Sequence, residues 1–414
     1  MRHILPAWDD SGPDQPRPNV RSIYIHIPFC FHKCHYCDFY SIVDNRDRQQ
    51  IFTDRLTQEL NALSTLHECH NASPTIGSLR TLFVGGGTPT LLKPELWEQL
   101  LHAINTTFDL HQISDNSGEF TVEANPETVT RELMDVLRAG GVNRISVGAQ
   151  SFNENHLKTL ERWHDPANVS KAVRLARDAG LTRQSADLIF AIPGQTLADW
   201  RDDLSQAIDL GVDHISCYNL TYEPNTAMTQ RLHKGDFTPT DESLEVEMQL
   251  LAVEMLATAG LERYEVSNFA RPGQECAHNL AYWRNENWLA AGPSAAGHID
   301  GFRYKNAPRL DTYLSHNDNG FAPVQEYELP DPSRTLSDVL LGALRLREGI
   351  ATNRVQYYAN LVDEDCFARV QHAAEACADS GWLQLAKDRW TIHNEGWLFV
   401  DRVVREMIQA IHVA

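Results

Sequence analysis

Ile25-His26-Ile27-Pro28-Phe29-Cys30-Phe31-His32-Lys33-Cys34-His35-Tyr36-Cys37-Asp38-Phe39-Tyr40 is the stretch from which the rest of the chain can be read. Its three cysteines fall within eight residues, spaced C-x3-C-x2-C, and follow the apolar run 23–27. Such a run reads as a buried strand. Cys30 therefore sits just past a strand end, where a loop can fold three thiolates around one object. No fourth cysteine follows within reach of the pattern.

The count of thiolates decides the chemistry. A structural zinc takes four protein ligands, usually from two separated knuckles, and an ordinary iron–sulfur cluster is closed by four thiolates. Three thiolates on a four-iron cluster leave one iron open. That iron can chelate the amino and carboxylate groups of S-adenosylmethionine, and the reduced cluster can break the sulfonium bond to release a carbon radical. Zinc completed by His26, His32 or His35 is the competing reading, although the spacing fits the knuckle pattern poorly. Covalent haem attachment needs C-x-x-C-H; here Cys34-His35-Tyr36-Cys37 is followed by Asp38, so that reading fails. With this spacing, and with Tyr36 just before the last cysteine, the chain resembles the radical S-adenosylmethionine superfamily.

Composition narrows the class. The 414 residues suggest two or three domains, or one barrel plus an appendage. The 42% hydrophobic and 22% charged content is that of a globular protein. Lys and Arg number 36 against 56 Asp and Glu, a formal charge of −20. That balance argues against a nucleic-acid partner, whose binding rests on phosphate neutralisation, and favours solubility. Outside the cluster the cysteines Cys69, Cys217, Cys276, Cys366 and Cys377 are scattered and outline no disulfide framework. The start of the chain lacks a secretory apolar region, and Asp9-Asp10 speaks against an organellar address. No apolar run reaches membrane-spanning length. The expected setting is cytoplasmic and thiol-reducing.

Periodicity predicts a polar, Pro-rich tail over 1–20, then strands over 79–84, 120–124, 143–148, 185–190 and 214–219 after the first at 23–27. Helices are expected between them, over 48–66, 94–108, 130–139, 153–160, 167–179, 197–210 and 241–259. Six strand–helix units imply parallel pairing with right-handed crossovers. They are too few for a closed eight-stranded barrel. The fold class expected is therefore α/β, a partial (β/α)6 barrel over 21–306, which is also what the superfamily resemblance implies. Residues 260–306 show little periodicity. Over 307–414 a small, mainly helical, winged-helix-like domain is expected, with helices at 311–316, 335–346 and 363–380, a hairpin at 382–392 and a last helix at 400–411. The acidic positions Glu59, Glu68, Asp241, Glu242, Glu245 and Glu247 read as solvated helix faces, and Trp283, Trp288, Trp382, Trp390 and Trp397 as core.

Functional groups of a parallel barrel gather at the C-terminal ends of its strands. Gly85-Gly86-Gly87-Thr88-Pro89 ends the second strand; glycines there allow close backbone approach and offer N–H donors, or simply make a tight turn. Glu123 ends the third strand, Gln150 follows the fourth, Arg162 comes twelve residues later, and Asp187 lies in the fifth. Each alone has a structural explanation as a cap, a salt bridge or a buried polar pair. Their succession, with Tyr24 before the cysteines and Asp187-Leu188-Ile189-Phe190-Ala191-Ile192-Pro193-Gly194-Gln195-Thr196, resembles the subgroup typified by oxygen-independent coproporphyrinogen oxidase. The resemblance runs from about residue 21 to the C-terminus. It implies a [4Fe-4S] cluster on Cys30, Cys34 and Cys37. It also implies an S-adenosylmethionine site formed by Tyr24, Tyr36, Gly86, Gly87, Thr88, Glu123, Gln150, Arg162 and Asp187.

Two branches of that subgroup differ. The porphyrinogen-decarboxylating oxidases carry a fourth cysteine two residues after the third, where this chain has Phe39, and a longer N-terminal extension than the roughly twenty residues here. The other branch resembles the HemW-type haem chaperones, marked by H-N-x-x-Y-W, present as His278-Asn279-Leu280-Ala281-Tyr282-Trp283. A neutral imidazole is an ordinary axial ligand for haem iron, and neighbouring aromatics can cover a porphyrin face. The resemblance thus implies haem near His278, with Cys276 as an alternative ligand and a purely structural loop as the competing reading. It implies a chaperone that passes haem to an acceptor protein, for which a respiratory apo-cytochrome is the candidate. The cluster would then regulate assembly or delivery, with no catalytic residue assigned. Membrane association would be transient, and an oligomer stays open. The alternative is an oxidase that decarboxylates porphyrinogen propionates; an RNA-directed radical enzyme is disfavoured by the charge.

Overall fold

The computed structural model describes residues 1, 4–5, 18–66, 74–316 and 319–412. Its first strands alternate apolar residues, which face the surrounding helices, with polar ones that face inward. In β1 (Asn19–Ile27), Ile23, Ile25 and Ile27 enter the main core while Ser22, Tyr24 and His26 face the interior. The same alternation runs through β2 (Thr75–Gly86), β3 (Glu119–Ala124), β4 (Arg144–Gln150), β5 (Arg183–Phe190) and β6 (His214–Asn219). These strands pair in parallel, each with the next in sequence.

Helices α1 (Gln49–Ser64), α2 (Pro94–Thr107), α3 (Arg131–Ala139), α4 (Ala167–Asp178), α5 (Leu197–Asp209) and α6 (Glu242–Thr258) complete the six expected units. Local chemistry sets their starts. Pro94 occupies the first turn of α2, the Thr130 side chain accepts from Leu133 N, and Thr196 with Asp199 forms a reciprocal capping box on α5.

Among the described residues the sheet does not close on itself, and later segments extend both edges. β7 (Asn268–Ala270) pairs antiparallel with β6. Beyond α7 (Ala277–Trp283), β8 (Trp288–Ala291) lies parallel to β1, and β9 (Ala296–Ile299), β10 (Phe302–Asn306) and β11 (Val324–Glu328) follow antiparallel. The segment 260–306 that looked aperiodic is thus a seven-residue helix among strands of two to five residues, too short for periodicity to register.

The expected boundary at 306/307 falls later. Leu310, Tyr313, Phe321 and Ala322 belong to the barrel's core, and β11 pairs with β10. A second core begins at Leu336 and is built from α8 (Pro332–Ala343), α9 (Thr352–Val362), α10 (Cys366–Asp379), α11 (Val400–Ile411) and a three-stranded sheet. Of the expected tail, Met1, Ile4 and Leu5 pack on the main core and β1 already starts at Asn19; residues 2–3 and 6–17 lie outside the described residues, as does Glu68. Glu59 does not face solvent. It is 1% exposed, and it accepts from Gly292 N, Asn306 Nδ2 and the Tyr313 hydroxyl. Among the described residues no helix is long and apolar enough to cross a membrane.

Candidate functional site

The cysteine loop leaves β1 at the C-terminal end of the barrel. Backbone bonds fix it at His35, whose N donates to Leu160 O at 3.2 Å and whose O accepts from Met228 N at 2.9 Å. Tyr36 packs on the apolar cluster of Leu160, Ile189, Ile192, Leu220 and Met228. Cys30, Cys34 and Cys37 all line one cavity of about 1060 Å³. Burial raises the Cys30 thiol above its ordinary value and pushes Cys37 up to about 11, so these thiols favour a partner that takes their charge. Arg162 Nη1 donates to Cys34 Sγ at 3.8 Å.

The donor set fits a multi-iron cluster better than a single ion. Among the described residues no group of three or more His, Cys, Asp or Glu closes around one metal. The histidines that zinc would need are used elsewhere. His26 shares hydrogen bonds with Tyr40 O and the Tyr24 hydroxyl, His32 stacks on Trp163 at 4.1 Å, and His35 lies 3.3 Å from Arg231 Nη1. A cluster asks its thiolates to stand apart, on separate irons.

The glycine turn after β2 supplies close approach. A Cβ on Gly87 would stand 2.8 Å from the Pro28 and Phe29 carbonyls, and Gly86 has φ +110°. The expected free N–H donors are not there: Gly86 N donates to Glu123 Oε2, Gly87 N to Ile27 O and Thr88 N to Phe29 O. The turn is instead a clamp that holds the cluster loop against β2, with Thr88 Oγ1 3.5 Å from Cys30 Sγ.

Opposite the loop, Glu123 and Asp187 face the cavity. Burial and then the nearby Asp187 charge raise Glu123 to about 7. Burial also raises Asp187, which accepts from Ser146 Oγ and Ser216 Oγ at 2.7–3.1 Å. A pair of carboxylates that repel one another suits a cationic ligand group such as an ammonium. Gln150 reaches this cavity through a β-bulge: the β4–β5 register slips between Gly148 and Gln150, and Gln150 takes φ +63°. A bulge re-aims a side chain, and the left-handed conformation is held at a cost. Arg162 Nη2 donates to Gly148 O at 3.1 Å. A Cβ on Gly148 would meet both Gln150 Nε2 and Arg162 Nη2 within 3.0 Å. Among the described residues Arg162 Nε is buried without a partner, a donor left over inside the site.

The far wall was not foreseen. Trp397, Phe399, Arg402 and Arg405 from the last helix and its approach line the same cavity, as do Tyr218 and Phe39. Their spacing carries no sequence signal, because only the docking of the C-terminal unit brings them over the barrel mouth.

Two expected residues lie elsewhere. Tyr24 sits one layer deeper, stacked on Phe83 at 6.2 Å. His278 lies at the opposite end of the interior, on α7, and is 1% exposed. Its Nδ1 is 2.8 Å from Thr81 Oγ1 and its Nε2 2.9 Å from the Tyr282 hydroxyl. Both nitrogens are engaged and burial lowers its pKa to about 4, so in this conformation His278 presents no ligand to haem. Cys276 is also buried, donating to Glu119 Oε1 at 3.3 Å, and burial pushes it up to about 12. Glu119 further accepts from Ala277 N and lies 3.2 Å from Arg183 Nη1. The six-residue motif thus forms a floor to the barrel.

Comparison with known proteins identifies relatives of this chain. Residues 24–207 match the radical SAM superfamily. The haem chaperone HemW of Bacillus subtilis is 35% identical over 338 residues, covering 81% of this chain and 86% of its own. That of Escherichia coli is 33% identical over 390 residues, 92% of this chain and 97% of its own. The chain belongs to the HemW family. Among solved structures, coproporphyrinogen III oxidase (HemN) from Escherichia coli has a TM-score of 0.79 at 23% identity, over 94% of this chain and 90% of its own. That likeness is one of fold. For this HemW-family chain, the radical SAM domain implies a [4Fe-4S] cluster and S-adenosylmethionine, and the cavity above β1–β6 contains the three cysteines and eight of the nine side chains or glycines expected around the cofactor.

Proposed function

We propose that the protein is a cytoplasmic haem chaperone, which binds haem beside a [4Fe-4S] cluster with S-adenosylmethionine and passes haem to an acceptor protein. Cys30, Cys34 and Cys37 hold the cluster. A cluster on these thiolates would supply reductive chemistry towards the sulfonium of S-adenosylmethionine. Glu123 and Asp187 face the cationic part of that cofactor. Gln150 orients it from the bulge, and Arg162 offsets charge on the Cys34 thiolate.

What carries the chaperone reading is Phe39. It stands where the decarboxylating oxidases have a fourth cysteine, its ring is 60% exposed, and it lines the cavity. An apolar ring there suits a flat apolar ligand. Kinship with haem chaperones along most of the chain supports the same choice. The acceptor is taken to be a haem protein such as a respiratory cytochrome, met by transient association.

The test is an anaerobic assay of reconstituted protein with S-adenosylmethionine, a low-potential reductant and coproporphyrinogen III. Formation of 5′-deoxyadenosine reports a live cluster. Intact cofactor chemistry without decarboxylation, together with saturable haem binding and transfer to an apo-cytochrome, is expected. Decarboxylated porphyrinogen made over many turnovers would make the protein an oxidase.

A further inference from the structure

The cysteine loop closes on its own start. Phe29–Cys30 and Ile42–Val43 pair in parallel, Phe29 opposite Ile42 and Cys30 opposite Val43, and Ile42 N donates to Pro28 O at 2.8 Å. That pairing returns Ser41 to the neighbourhood of the first cysteine. Ser41 is 9% exposed and lines the cavity, yet among the described residues its Oγ has no hydrogen-bond partner. A buried hydroxyl left without a partner is uncommon and costly.

Thr88 reaches the same cysteine from the glycine turn. It is buried, and its Oγ1 stands 3.5 Å from Cys30 Sγ. Its backbone is held separately, N donating to Phe29 O at 2.7 Å and O accepting from Leu91 N at 2.9 Å. The hydroxyl is thus not what makes the turn. Burial raises the Cys30 thiol, and the Thr88 hydroxyl and then the Ser41 hydroxyl pull it back down, so both groups act on this sulfur. The other cysteines are met differently. Cys34 faces the Arg162 guanidinium, and Cys37 has no side-chain donor among the described residues.

We propose that the Ser41 and Thr88 hydroxyls both donate to the Cys30 sulfur when it carries a cluster iron, and that together they raise the reduction potential of that cluster. This rests on the assignment of the cluster to the three cysteines, and it adds two positioning residues that act through a ligand. A thiolate sulfur can only accept, so each hydroxyl must turn its proton towards it; Ser41 reaches it by a change of rotamer. Reduction adds an electron and leaves more negative charge on the sulfurs. Donors aimed at them therefore stabilise the reduced form more than the oxidised one.

The full-length protein is reconstituted anaerobically with iron and sulfide. The cluster potential is then measured by redox titration followed by electron paramagnetic resonance, without S-adenosylmethionine. Wild type is compared with Thr88→Val, Ser41→Ala, the double variant and Thr88→Ser. Thr90→Val is the control, because the Thr90 hydroxyl lies on the same segment but pairs with Thr128 Oγ1 at 2.6 Å. Each single deletion of a Cys30-facing hydroxyl is expected to shift the reduction equilibrium roughly tenfold towards the oxidised cluster. For one electron that is a potential about 59 mV more negative. The double variant should shift further, Thr88→Ser should restore the wild-type value and Thr90→Val should leave it unchanged, all at wild-type iron and sulfide content. Full clusters at wild-type potential in Thr88→Val and Ser41→Ala would overturn the proposal and leave the cluster assignment intact. An equal shift in Thr90→Val would overturn it too, by tracing the effect to the turn. If Thr88→Val cannot retain a cluster, Ser41→Ala decides, with the same expected shift. A wild type that takes up no cluster would remove the cluster assignment itself, and this role with it.

Discussion

Glu119 and Glu123 lie four residues apart on β3 and face the same interior, yet their acidities move in opposite directions. Burial would raise both. At the floor, Arg144 and Arg183 outweigh burial and hold Glu119 below the usual carboxylate range. At the mouth, burial is reinforced by Asp187 and lifts Glu123 to about 7. The floor is a closed network in which Glu119, Cys276, Thr81, His278 and Tyr282 meet one another's needs. The mouth leaves charge to be answered: repelling carboxylates, a leftover Arg162 N–H and three thiols. One column of inward residues is therefore finished at one end and prepared for a ligand at the other.

The largest expected effect is at the mouth. Cys34→Ala should abolish cluster assembly, read as loss of bound iron and sulfide after anaerobic reconstitution, with the apo-protein's melting temperature nearly unchanged. A variant that still holds a full cluster would remove the contrast. At the floor the pattern inverts. Glu119→Gln leaves the buried Arg144 and half-buried Arg183 guanidiniums facing a neutral amide and should cost about 3 kcal/mol in urea unfolding. Because the folded pKa of Glu119 is depressed, its stabilisation is present above the unfolded carboxylate value of 4.5 and lost as pH falls through the lower folded value.

Glu123 should show the opposite slope. Its folded pKa of about 7 exceeds the unfolded 4.5, so the stability of cofactor-free protein falls as pH rises between those values. The loss should be about 2 kcal/mol, after allowing for water that reaches the carboxyl from the cavity. Glu123→Gln should flatten that window; a persistent slope would place the titrating group elsewhere. His278→Ala, which unmakes two hydrogen bonds at the floor, should cost about 1–3 kcal/mol and leave S-adenosylmethionine affinity within threefold by equilibrium dialysis. The smallest effect is Phe39→Cys: an exposed position, so stability should change by less than about 0.5 kcal/mol, and decarboxylase activity should not appear.

The barrel was legible because its strands alternate and its helices start at recognisable caps, as at Pro94 and Thr196. The cysteine spacing and the residues at strand ends located the mouth for the same reason, since each belongs to a local pattern. What sequence could not reveal depends on distant partners. Glu59 reads as a solvated helix position because the groups that satisfy it, Gly292, Asn306 and Tyr313, lie more than 230 residues away. His278 carries a ligand's chemistry, but Thr81, 197 residues earlier, takes one nitrogen. Trp397, Arg402 and Arg405 gain meaning only once the second core docks over the mouth.

The parallel pairing of β1 with β8 has a consequence for how the protein is made. Ser22 through Ile25 align with Trp288 through Ala291, so one edge of β1 waits for a barrel segment that is made far later. At translation speeds of about 5–20 residues per second, that wait is on the order of tens of seconds. Throughout it the nascent chain carries an open, Ile-rich strand edge next to three unligated cysteines. Loading of iron and sulfide onto the loop is thus in competition with misassembly at that edge, and the timing of cluster delivery relative to release of residues 288–291 should govern the yield of native protein.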